Sequence, residues 1–322
     1  MARYGKEQAE RGRKYIEDRR SSTGRSGGTR FGRGGMTTRR PSGGKAVGGV
    51  GGIIVAIIAL LFGINLTGGD SSSAGGGGTF NVDAGGLGTG SSQVGGSVAV
   101  DPDADMVEFL GVIMDDTQDV WSALFENAGA NYQFTGLILY EDQTPTDGCG
   151  IGRAAAGPFY CPAPQDQNVY IEIATMEDLQ RRFGAPGDFA VAYIVAHEVG
   201  HHIQSITGIS DQVGQLKRQN PGAQNDLSVR QELQADCFAG VWGYYANQRS
   251  SIDEGVVLDP GDVDEAITAA EAVGDDNIQS QSGYVDPHTF THGTSAQRAK
   301  WFRNGFTTGD PDACDTYSIA QP

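Results

Sequence analysis

The chain has 322 residues and a formal net charge of −17, an acidity that disfavours nucleic acid and anionic surfaces as partners, and its length allows one or two domains. The charge is unevenly spread. Residues 1–45 carry 13 Lys and Arg against 4 Asp and Glu (+9), whereas residues 46–322 carry the other 10 against 36 (−26).

Residues 1–45 are rich in Arg, Gly and Ser and poor in large apolar side chains, so they read as a disordered basic tail. Ala46–Leu66 follows, 21 residues without a charge, long enough to cross about 30 Å of hydrocarbon as a helix. A secretory signal peptide has a much shorter basic leader and a small-residue cleavage site, a pattern this segment does not match. A buried soluble helix would need a surrounding domain, and both flanks are Gly/Ser-rich. The expectation is one uncleaved transmembrane helix in the cell membrane. The positive-inside rule then makes the leader cytoplasmic and the rest extracytoplasmic. Residues 67–100 read as a flexible Gly/Ser-rich linker with a reach of about 30 Å.

A folded domain is expected over 101–322. Asp105–Asn127 carries apolar residues at helical spacing, and Tyr132–Tyr140 and Val169–Ile173 read as strands, the second as a candidate sheet edge facing a cleft. Glu177–Phe183 reads as a short helix ended by Gly184, and Asp188 can cap a long helix running to about Gly208. Gln212–Asn225, with Asn220-Pro221-Gly222, reads as a polar connection. Ser228-Val229-Arg230-Gln231 and Thr294-Ser295-Ala296-Gln297 are capping boxes expected to open helices reaching about Gln248 and Phe306, with another helix over Asp262–Val273. The fold class is α+β, mainly helical with a small sheet. The four cysteines show no C-x-x-C spacing, and the preferred disulfides are Cys149–Cys161 and Cys237–Cys314, the alternative being four buried thiols.

The chemistry concentrates in Ala196-His197-Glu198-Val199-Gly200-His201-His202, an H-E-x-x-H motif within an apolar helical stretch. His197 and His201 leave one face a turn apart and can take two corners of a tetrahedral zinc site. Glu198, one residue round, is placed to take a proton from the attacking water. The bland alternative is a buried helix with satisfied histidines. A third ligand is not supplied by the extended motif H-E-x-x-H-x-x-G-x-x-H, because Gln204 and Thr207 stand at its Gly and final His positions. Glu232 and Asp236, four apart on a later helix, fit instead: Glu232 as metal ligand, Asp236 as hydrogen-bond acceptor to a ligand histidine.

These residues, with Gly157-Pro158-Phe159-Tyr160-Cys161-Pro162, Gly187-Asp188-Phe189-Ala190, Glu232-Leu233-Gln234-Ala235-Asp236-Cys237 and Thr291-His292-Gly293-Thr294-Ser295-Ala296-Gln297-Arg298, resemble the bacterial neutral zinc metallopeptidases over roughly residues 101–316. The resemblance implies a zincin-like domain hydrolysing a peptide or protein substrate with Zn²⁺ held by His197, His201 and Glu232. His202 lies about 100° round the helix from His201 and reads as a packing residue. His292, on a Gly-flanked loop, is a candidate donor to a developing oxyanion or a local cap, with weaker claims for His288 and Tyr284. The rival reading is a non-catalytic, zinc-stabilised binding module at the envelope; a third is an anchoring protein with a vestigial metal site.

Overall fold

The computed structural model describes residues 2–20, 101–176, 188–249 and 251–322. Its helices are α1 (Lys6–Gly12), α2 (Ala104–Asn127), α3 (Asp188–Ile206), α4 (Ile209–Gln219), α5 (Gln224–Gln248), α6 (Asp262–Ala272), α7 (Asp275–Ser280) and α8 (Ser295–Thr308). The strands are β1 (Ile16–Asp18), β2 (Gly136–Tyr140), β3 (Gln143–Pro145), β4 (Ile151–Arg153), β5 (Phe159–Tyr160) and β6 (Asn168–Glu172). This is a helix-rich α+β fold.

The main sheet runs β1-β2-β6-β5, with β1, β2 and β6 parallel and β5 antiparallel to β6. Strand alternation divides its side chains: Leu137, Leu139, Val169 and Ile171 join the main core, while Ile138, Tyr140 and Tyr170 pack with Cys161 in a smaller cluster. The strand at 169–173 is therefore not an edge as expected. It is paired on both sides, and the two-residue β5 forms the edge.

Helix α3 is buried along most of its length and packs against α2, α5 and α6. Gly200 lets it approach α5 closely: a β-carbon there would stand 2.9 Å from the Ala235 carbonyl oxygen and 3.1 Å from its α-carbon. Helices α5 and α8 meet at Gly240 and Gly305, where a β-carbon on either would collide with the other helix's backbone. The Thr294–Gln297 capping box does open α8. The one at Ser228 does not open α5, which starts at Gln224; the Ser228 hydroxyl donates back to the Gln224 carbonyl within the helix. The supposed polar connection overlaps α4, whose Ile209, Val213 and Leu216 make an apolar stripe against Leu227. Spacing outweighs average polarity there. Disulfides join Cys149 to Cys161 and Cys237 to Cys314, with Cα separations of 5.9 and 5.5 Å.

Residues 2–20 correct the disordered-tail expectation for their own part, while residues 21–45 lie outside the described residues. Helix α1 packs on α2, β1 extends the sheet, and Arg3 pairs with Val257. Their basic side chains find acids in the same fold: Arg11 lies 2.8 Å from the buried Asp115, and Arg20 pairs with Asp18, Asp101 and Asp103. The single-pass localisation is corrected with it. Among the described residues no helix is long and apolar enough to cross a membrane. A leader built into the domain's sheet also lies on the same side as that domain, whereas one span between them would separate the two. The stretch 46–66, the linker and the helix expected over 177–183 lie outside the described residues.

Candidate metal centre

His197 and His201 project from one side of α3, and the crossing at Gly200 and Ala235 sets Glu232 and Asp236 of α5 against them. The Glu232 carboxylate lies 3.2 Å from His197 Nε2 through one oxygen and 3.5 Å from His201 Nε2 through the other. One ligand atom from each of the three residues falls within 4.8 Å of the other two. Ligands at about 2.0–2.1 Å from a tetrahedral zinc stand about 3.3 Å apart, so these N···O separations suit a shared Zn²⁺. Glu198 adds a second fit. Its Oε2 is buried without a hydrogen-bond partner, and the residue lines the same cavity as the three.

Each imidazole is oriented by a partner on its other nitrogen. His197 Nδ1 donates to Asp236 Oδ1 at 2.8 Å, and Asp236 also accepts from Tyr193 Oη at 2.5 Å and from two Arg298 nitrogens, each at 2.8 Å. His201 Nδ1 donates to Gln204 Oε1 at 2.9 Å, and the Gln204 amide is in turn held by the Gln231 carbonyl at 2.7 Å. Both arrangements leave Nε2 for the metal side.

The electrostatics follow from burial set against these partners. Burial disfavours charge on His197, but Asp236 and Glu232 outweigh it and hold the metal-free imidazole at about 9. Burial pushes Glu232 up, yet the two histidines hold it well below the usual carboxylate range. Asp236 is likewise lowered, by Arg298 and His197 against its burial. Glu198 is raised: burial dominates, and the histidines offset only part of it.

The surrounding cavity measures about 1030 Å³ and is bounded by the Ala154–Phe159 segment, α3, α4, α5 and the loop bearing His292. His292 lines it, half-exposed, with Nδ1 3.2 Å from Asp275. The other oxygen of Asp275 gathers the backbone N–H groups of Thr291, His292 and Gly293 at 2.6–3.1 Å. His202 faces elsewhere: its Nε2 donates to the Gln133 carbonyl at 2.5 Å and its Nδ1 accepts from Tyr160 Oη at 3.0 Å. His288 and the 72% exposed Tyr284 are not among the cavity-lining residues.

Tyr193, Gln204, Asp275 and Arg298 were not singled out from the sequence. Tyr193 sits four residues before His197 and shares its helix face, a signal that was there to be used. Asp275 has no such local mark, and Arg298 is marked only as the last residue of the Thr291–Arg298 motif.

The family model described as "Putative neutral zinc metallopeptidase" matches residues 6–317. The "Uncharacterized protein YpfJ" of Escherichia coli (strain K12) is 44% identical over 307 residues, covering 94% of this chain and 95% of its own. The "Uncharacterized protein Mb2605" of Mycobacterium bovis and the "Uncharacterized protein Rv2575" of Mycobacterium tuberculosis are each 44% identical over 209 residues, covering 62% of this chain and 67% of theirs. No solved structure matches the chain. With the family model spanning nearly the whole sequence and a relative aligned end to end, the chain belongs to the neutral zinc metallopeptidase family.

Proposed function

We propose that the chain is a zinc-dependent peptidase with a zincin-like site, in which His197, His201 and Glu232 hold the ion. Zn²⁺, when bound, polarises the scissile carbonyl and acidifies the attacking water. Glu198 takes the water's proton and passes it to the leaving amine. In the metal-free site burial raises its pKa, and a carboxylate raised in this way is a stronger base than one of ordinary acidity. Asp236, Tyr193 and Arg298 keep His197 in the tautomer that offers Nε2, and Gln204 does the same for His201. His292 Nδ1 donates to Asp275, whose carboxylate raises the histidine's pKa, and the imidazolium so favoured donates from Nε2–H to the carbonyl oxygen as negative charge builds there.

What carries this assignment is the unpartnered buried oxygen of Glu198, lining the same cavity as a three-residue ligand set of the right spacing. A purely structural zinc site has no use for such a carboxylate. Digestion of a broad peptide library by the zinc-loaded protein tests it. Cleavage is expected, and a chelator abolishes it. Glu198→Gln keeps its zinc and loses on the order of 10²–10⁴ in kcat, the usual worth of a general base. Full turnover in that variant rules out the base role. Stoichiometric zinc without any cleavage by the wild type favours the non-catalytic module.

A further inference from the structure

Two strong cations line the cavity, and they differ in how they are satisfied. Arg298 is buried and spent on Asp236 and Tyr193. Lys217, on the last turn of α4, is not. Its ammonium touches Gln231 Oε1 at 3.3 Å, and among the described residues no carboxylate forms an ion pair with it. Gln231 is itself fixed, since its amide nitrogen donates to Ser210 Oγ at 3.3 Å. Lys217, Gln231 and Ser210 therefore make one polar wall of the cavity, and Gln231 immediately precedes the ligand Glu232 in sequence.

A lysine at a helix C-terminus commonly extends into water, where the macrodipole favours it. Here the side chain lines the cleft instead, and burial lowers its pKa. That unfavourable desolvation is what a bound carboxylate would offset. Glu232 is the nearby acid, but it lies between the two histidines. Glu172, which also lines the cavity, is occupied by the Thr175 N–H and hydroxyl at 2.7 and 2.6 Å. In a chain of net charge −17, an acidic peptide is repelled in general. A cation inside the cleft reverses that locally.

We infer that Lys217, braced by Gln231 and Ser210, anchors a carboxylate of the substrate, so that the site selects peptides carrying an acidic group close to the scissile bond. The inference rests on the peptidase assignment above for its substrate class. The carboxylate can belong to the peptide's C-terminus or to an Asp or Glu side chain, and the chemistry recognised is the same.

The test uses the zinc-loaded full chain and two sets of peptides. One set holds neutral sequences made both as C-terminal acids and as amides. The other holds amidated sequences with Glu or Gln at each position. In one set the acidic member is expected to be cleaved with kcat/KM about 10- to 100-fold above its neutral twin, the range of a charge-assisted hydrogen bond. The set that responds identifies the source of the carboxylate. Lys217→Met, which keeps the aliphatic stem, brings the ratio close to one, and Lys217→Glu shifts preference to Lys-bearing peptides. A wild-type ratio near one in both sets overturns the inference, as does a ratio that survives in Lys217→Met with full zinc content. If the wild type cleaves nothing, the peptidase assignment falls separately. The same pairs are then titrated against zinc-loaded Glu198→Gln: tighter binding of acid than amide sustains the carboxylate anchor, and equal binding removes it.

Discussion

His201 and His202 are adjacent in sequence and opposite in environment, which shows how sharply one residue on a helix changes the chemistry of a side chain. His201 shares the cavity with Glu232. His202 is fully buried between Gln133 and Tyr160, and burial lowers it to about 4. The consequence for stability has a definite sign. Above about pH 6.5 His202 is neutral in both folded and unfolded chains and costs nothing. As pH falls from there towards about 4, the unfolded chain takes up a proton that the folded chain refuses, so stability declines. The shift corresponds to roughly 3 kcal/mol. Unfolding free energies from urea titrations between pH 7 and pH 4 are expected to fall by about that much more for the wild type than for His202→Gln. Parallel curves for the two proteins would show that His202 is not the group responsible.

At the scale of elements, the candidate site depends on how closely α3 and α5 cross. The ligands come from both helices, and their separations of 3.2 and 3.5 Å leave little freedom. Gly200 sits between the two histidines, and the atoms that a β-carbon would meet belong to the Ala235 backbone, which cannot rotate aside. Gly200→Ala gains about 1 kcal/mol of helix propensity but forces the helices apart by tenths of an ångström, typically costing about 1–3 kcal/mol. The sharper readout is the metal. Chelator competition is expected to show zinc binding weakened by about tenfold or more, with turnover reduced in step, even where the melting temperature barely moves. Unchanged zinc affinity would mean that the crossing does not set the ligand geometry.

At the scale of the whole molecule, the described part of the basic leader, residues 2–20, pairs its charges with the acidic remainder of the chain. Asp115 is buried on α2 and faces Arg11 at 2.8 Å and Lys14 at 3.5 Å, while Arg20 joins β1 to the start of α2 through Asp101 and Asp103. Backbone closeness supports the same contact, since Gly12 of α1 lies against Gly111 of α2. Arg11→Ala leaves Asp115 with a weaker partner and is expected to cost about 1–2 kcal/mol, discounted because the arginine is itself half-exposed. Thermal or urea unfolding measures it, and Asp115→Asn combined with Arg11→Ala should recover part of the loss. An Arg11→Ala variant as stable as the wild type would show that the leader's charges are dispensable to the fold.

What was legible in the sequence is what local periodicity governs. The long helices announce themselves because their apolar residues repeat with the helical period, and the two imidazoles of α3 share a face because they are four apart. The same spacing relates Glu232 to Asp236 within α5. The parallel pairing of β6 with β2, the place of Ile16–Asp18 in the sheet, and the convergence of Asp236, Arg298 and His197 from three helices are decided only by tertiary packing. The reason is physical. No period connects residues on different elements, and a basic leader ahead of an acidic domain satisfies either a membrane topology or a set of ion pairs. Composition is the same in both cases, and only the contacts distinguish them.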